Sequence, residues 1–166
     1  MVEHLPEYID PLALADKHRQ FKGVLPLSKM ARMQDVLLHK DGEVTFELKF
    51  GKDGKYAVVT GMVEADLVLQ CQCCMGPIPW SVRDSVSLAV VASIDEANLL
   101  PDSYEPLLLE QGKIPLSDIV QEELLLAVPT IPQHEQCEVS VAKDNKPKPE
   151  VSGRPNPFAV LAKLKK

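Results

Sequence analysis

The sequence has no apolar run approaching the roughly 18 residues needed to cross a bilayer. Near its start, Glu3, Glu7, Asp10 and Asp16 are scattered among hydrophobic residues where a secretory signal would carry an apolar block. Neither a membrane span nor a signal peptide is expected, which points to a cytoplasmic protein with reduced thiols. Cysteines number only four. In a reducing compartment, clustered cysteines serve metal or redox chemistry before disulfides. Also missing are H-E-x-x-H, G-x-S-x-G, G-x4-G-K-[ST] and G-x-G-x-x-G, the signatures of common hydrolytic and nucleotide-binding sites. No catalytic residue is assigned, and the protein is expected not to be an enzyme.

What is present is organised around Val63 to Val91. Gly61, Val63, Ala65, Leu67, Leu69 and Cys71 alternate with residues that include Glu64, Asp66 and Gln70, the period of a half-buried strand, with Val68 out of phase. Trp80, Val82, Val86, Leu88 and Val90 alternate with Ser81, Arg83, Ser85 and Ser87 in a second strand. Between them, Gly76, Pro77 and Pro79 forbid a helix, so Cys71-Gln72-Cys73-Cys74 lies on a strand-to-strand turn.

Along the chain, Asp10-Pro11 predicts a capped helix over Leu12 to Arg19. Ser28 to Met33 predicts a further helical turn, with Met30 and Met33 as core residues. From Val36 the pattern becomes β. Val36 to Lys40, Val44 to Phe50, Tyr56 to Gln70 and Trp80 to Ala92 predict a meander of at least four antiparallel strands. Asp53-Gly54 forms a hairpin turn, and a bulge is expected at Gly61. Ser93 to Asp102 reads as an acidic loop, and Glu105 to Glu110 as a short edge strand. Pro115 to Val128 reads as a helix capped near Ser117, with Leu116, Ile119, Val120, Leu124 and Ala127 on one stripe. The expected fold is α+β: a curled antiparallel sheet forming a partly open barrel, one packed helix and a mobile C-terminal helical segment. Its expected divisions are a domain over 1–138, a solvated Lys/Pro linker over 139–153 and a basic amphipathic docking segment over 154–166.

Charge is divided unevenly around the net −6. Residues 94–138 carry ten acids and one base, whereas residues 139–166 carry two acids and seven bases. Only the tail suits a polyanion, and the acidic stretch suits a basic protein or simply solvates a surface. In the tail, Asn156 caps and Pro157 takes the first helical position. Phe158, Leu161 and Leu164 share one side, with Lys163, Lys165 and Lys166 at a basic end. A helix of two turns is marginal alone, so it either packs back on its own domain or docks elsewhere.

Cys71 and Cys74 have the C-x2-C spacing that presents two thiolates to one tetrahedral ion. His134 and Cys137, as H-x2-C, are the one remaining pair that completes a Cys3His set, which would hold a structural zinc. Alternatively, Cys71 is a buried strand residue and Cys137 an incidental loop thiol. A thioredoxin-like reading fails because no helix N-terminus follows the cysteines. Asp118, Glu122 and Glu123 could suggest a carboxylate metal site for RNA cleavage, but a solvated helix face accounts for them.

Taken together, several motifs resemble the YceD family of large ribosomal RNA subunit accumulation proteins. They are Ile9-Asp10-Pro11, Leu69-Gln70-Cys71-Gln72-Cys73-Cys74, Tyr104-Glu105-Pro106 and Leu125-Leu126-Ala127-Val128-Pro129 with His134 and Cys137. The most specific is Pro155-Asn156-Pro157-Phe158-Ala159-Val160-Leu161-Ala162-Lys163-Leu164-Lys165. Position 73, typically basic in that family, is Cys73 here. The resemblance implies a ribosome biogenesis factor that supports synthesis, processing or stability of 23S rRNA, with no small-molecule substrate. Its partner would be a 23S rRNA precursor or a large-subunit ribosomal protein, engaged through Arg154, Asn156, Pro157, Phe158, Leu161, Lys163, Leu164, Lys165 and Lys166. The alternatives are an adaptor or holdase for a basic ribosomal protein and, more weakly, a metal-dependent rRNA-processing nuclease.

Overall fold

Alternating apolar residues place one buried face on three consecutive strands of a computed structural model that describes residues 5–109 and 112–137. The elements run β1 (Tyr8–Ile9), α1 (Pro11–Asp16), β2 (Gln20–Pro26), two 3-10 turns (Leu27–Lys29 and Ala31–Asp35), β3 (Glu43–Asp53) and β4 (Tyr56–Gln70). They continue through β5 (Pro77–Val91), α2 (Ile94–Ala97), β6 (Glu105–Leu108), β7 (Ile114–Pro115) and α3 (Leu116–Ala127). The fold is α+β. Its main sheet has the order β2-β3-β4-β5-β6 and does not close, while β1 and β7 form a small second sheet.

Register puts Val44, Phe46, Leu48 and Phe50 opposite Ala65, Val63, Gly61 and Val59, all on one side. On β5, Ile78, Val82, Val86 and Leu88 continue that face. Leu116, Ile119, Val120 and Leu124 of α3 cover it together with Met30 and Met33 from the 3-10 turns, forming one core cluster. The helical stripe and the two methionines are therefore core residues, as their spacing predicts. Asp10 caps α1, its Oδ1 accepting from the Ala13 N–H at 3.0 Å.

Several expectations are corrected. Val36 to Lys40 is not a strand; Leu37 forms only an isolated bridge to Leu69. The fourth antiparallel strand is instead β2, paired from Gln20↔Lys49 to Pro26↔Glu43. Its inward residues Phe21, Gly23 and Leu25 are only half-buried. At Gly61 there is no bulge, because pairing runs through Leu48↔Gly61 without interruption. The glycine is there for close approach: a Cβ would lie 1.9 Å from the Glu47 carbonyl oxygen. The predicted acidic loop contains α2, capped by Ser93, whose Oγ accepts from the Glu96 N–H at 3.2 Å. Pro115, not Ser117, occupies the cap position of α3. The edge strand β6 runs parallel to β5, from Leu88↔Glu105 to Val91↔Leu108. No helix among the described residues is long and apolar enough to cross a membrane.

Candidate metal centre

The turn after β4 folds back on itself. Cys71 donates its N–H to the Gly76 carbonyl at 2.8 Å and accepts at its own carbonyl from Met75 N–H at 2.9 Å. Met75 adopts the left-handed backbone, with φ 62°, which lets five residues reverse direction. Gly76 keeps the turn tight, since a Cβ there would lie 3.3 Å from the Cys74 sulfur. The second half arrives from the loop after α3. The Gln72 N–H donates to the Pro132 carbonyl at 2.9 Å, fastening that loop against the turn. Nearby, the indole Nε1 of Trp80 donates to the Ala127 carbonyl at 3.3 Å and holds the end of α3 to β5.

This arrangement brings together Cys71, Cys74, His134 and Cys137, whose ligand atoms all lie within 4.8 Å of one another. The Cys71 and Cys137 sulfurs are 3.7 Å apart, and the Cys74 sulfur lies 3.5 Å from His134 Nδ1. A tetrahedral zinc site has edges of about 3.8 Å between sulfurs and about 3.6 Å between sulfur and nitrogen, from its usual bond lengths. The two measured edges match those values. His134 Nε2 lies 3.1 Å from the Pro77 carbonyl, which can only accept, so Nε2 carries the proton and the Nδ1 lone pair faces Cys74. The donor set fits a metal ion chemically as well as geometrically. Cys73 is not part of it; its sulfur lies 3.5 Å from the Cys137 carbonyl.

The thiols divide in their acidity. Burial opposes ionisation of Cys71, but backbone N–H groups of Cys74, His134 and Cys73 directed at its sulfur outweigh it and bring the thiol down to about 6. Cys137 is pushed up by its hydrogen bond with Cys73, then by burial and by the neighbouring sulfurs of Cys71 and Cys74. One thiolate thus forms readily, while Cys137 is held as a thiol chiefly by its hydrogen bond with Cys73 and by burial. A divalent cation at the centre would favour the thiolate form of both. Spacing alone identified the four residues; it gave no sign of the Pro77 carbonyl or the Pro132 clasp.

A second titratable group was misplaced by the sequence reading. Glu122 is solvent-exposed and paired with Arg32, but Glu123 is only 7% exposed, so the carboxylates of α3 do not share a solvated face. Burial raises the Glu123 carboxyl to about 7, reinforced by Glu105 on β6 and Asp84 on β5. A carboxyl with a raised pKa in the folded state contributes stability at low pH that is lost as pH rises from about 4.5 through about 7. Glu123→Gln is expected to remove that loss, raising the melting temperature at pH 8 while leaving it little changed at pH 4. Parallel profiles for the two proteins between those pH values would contradict this.

Among the residues assigned to partner binding, Arg154, Asn156, Pro157, Phe158, Leu161, Lys163, Leu164, Lys165 and Lys166 all lie outside the described residues, as do the linker and the tail. No solved structure matches this chain. A curated protein from Haemophilus influenzae, named large ribosomal RNA subunit accumulation protein YceD, is 34% identical over 167 residues, covering 97% of this chain and 96% of its own length. The family model described as large ribosomal RNA subunit accumulation protein YceD matches residues 59–165, a stretch that holds both halves of the Cys3His group and nearly all of the tail. With its cysteine turn, its returning loop and its C-terminal motif all inside the matched length, the chain belongs to the YceD family.

Proposed function

We propose that this protein is a non-catalytic factor of large-subunit assembly in the cytoplasm, supporting 23S rRNA accumulation by binding. The observation that carries this reading is similarity, over 97% of the chain, to the Haemophilus influenzae protein named for large ribosomal RNA subunit accumulation. The site chemistry supports binding over catalysis. Cys71, Cys74, His134 and Cys137 supply four protein ligands, which fills a tetrahedron and leaves no position for water or substrate. Zinc held there is structural: it ties the β4–β5 turn to the loop that leads into the tail. Residues 139–166, with seven bases and two acids, engage the phosphates of precursor rRNA, while Phe158, Leu161 and Leu164 dock on an adjoining surface. A nuclease reading gains no support from α3, where Glu122 is paired with Arg32 and Glu123 is turned into the fold.

The test is depletion of the protein in cells followed by ultraviolet crosslinking of the restored full-length chain. A fall in 23S relative to 16S rRNA, with precursor 23S rRNA recovered on the crosslinked protein, is expected. An unchanged ratio after depletion overturns the proposal.

A further inference from the structure

Beneath α3, the open side of the sheet leaves a groove of about 300 Å³ between that helix and β6. Its floor is apolar, built from Leu88, Leu107 and Ile119, and Leu126 stands beside it 67% exposed. Its walls carry Glu105, Asp118, Glu122 and Glu123. Glu105 pairs with Leu88 in register, so it shares the covered face of the sheet and points to the same side as the floor. Asp84 lies on that face too, opposite Val63.

Of the acids gathered here, Glu122 alone has a counter-ion, Arg32. Among the described residues, no ion pair involves Asp84, Glu105, Asp118 or Glu123. Glu123 is more than nine-tenths buried as a residue and lines the groove, and because no fully buried side-chain oxygen among the described residues lacks a partner, its unpartnered carboxylate opens onto the groove itself. A largely desolvated carboxyl facing other carboxylates is better ionised when a cation meets it at the groove. Its raised pKa is the same fact seen from the proton's side.

We infer that this groove binds a lysine- or arginine-rich segment of a large-subunit ribosomal protein, with aliphatic stems along the floor and cationic heads at Glu105, Asp118 and Glu123. The identity of the partner rests on the assembly role proposed above; the chemistry of the groove does not. Long basic side chains suit an apolar floor with acidic walls, because their methylenes bury while their charges pair. RNA is disfavoured, since its phosphates would meet carboxylates. A small divalent cation is disfavoured as well, because these acids form no group with ligand atoms in reach of one ion, unlike the Cys3His set.

The experiment uses the full-length protein with Leu126→p-benzoylphenylalanine, mixed with the purified proteins of the large subunit, with or without precursor 23S rRNA fragments. Irradiation is expected to link position 126 to a basic segment of a ribosomal protein, identified by mass spectrometry. Glu105→Gln with Asp118→Asn, both exposed positions, should lower that yield at least tenfold while leaving the melting temperature unchanged. Linkage to residues 138–166 of the same chain, to a second copy, to RNA, or to nothing overturns the inference. Co-sedimentation of the same protein with precursor large subunits is measured in parallel. Co-sedimentation without the linkage sinks the groove and spares the assembly role; the linkage without co-sedimentation does the reverse.

Discussion

Chelation is expected to lower the melting temperature of the purified protein by roughly 6 to 12 °C or more, and the purified chain is expected to carry about one zinc. The size follows from the coupling of metal binding to folding, about 10 to 16 kcal/mol in small zinc-binding peptides. Even a quarter of that, about 3 kcal/mol, gives such a shift in a chain of this length, at about 2 to 4 °C per kcal/mol. Cys71→Ser and Cys74→Ser should each reproduce the loss without chelator. Cys73→Ser should retain both metal and stability, because its sulfur is directed to the Cys137 carbonyl. A metal-free protein, purified under reducing conditions, whose stability does not respond to added zinc would refute the site. Release of metal by Cys73→Ser but not by Cys74→Ser would refute the ligand assignment.

The second large effect is expected in the tail. Phe158→Ala or Leu161→Ala each removes a side chain worth roughly 1.5 to 3 kcal/mol when fully buried against a partner. That corresponds to a loss of roughly 10- to 150-fold in association with precursor particles. The melting temperature should hardly move, since the benefit is realised only in the complex. Reversing the charges of Lys163, Lys165 and Lys166 should weaken association and flatten its dependence on salt, as loss of phosphate contacts requires. If truncation after residue 153 unfolds the remaining protein, the tail packs at home and the docking reading is lost.

Legibility in the sequence followed the strength of local pattern. β4 (Tyr56–Gln70) and the buried stripe of α3 were readable because one face is strongly apolar, with Val68 alone out of phase between Gly61 and Cys71. β2 was missed because its inward side, Phe21, Gly23 and Leu25, is weakly apolar and interrupted by glycine; its place in the sheet comes from pairing with β3. The parallel pairing of β6 is likewise a tertiary outcome, set by how α2 and its loop return the chain. The four candidate ligands were found by spacing within each half, although Cys74 and His134 are 60 positions apart. Their convergence depends on the docking of α3 and on the Gln72–Pro132 hydrogen bond, which no local pattern announces. Glu123 was misread for a related reason: helical spacing put it beside Glu122, but the wall opposite it is built by β5 and β6.

A metal held at this centre would also bear on how the folded chain opens. Cys71 and Cys137 lie 66 positions apart. An ion bridging such distant points would be held only where the fold has brought them together, so its binding energy would count wholly as folding energy. Neither half supplies four ligands by itself, so a closed site requires the β4–β5 turn and the loop after α3 to have met. Metal capture is therefore a late event, and its main kinetic effect falls on the unfolding rate. If the site takes zinc, the loaded chain is expected to unfold more slowly than the metal-free one, which stopped-flow unfolding with and without chelator would measure.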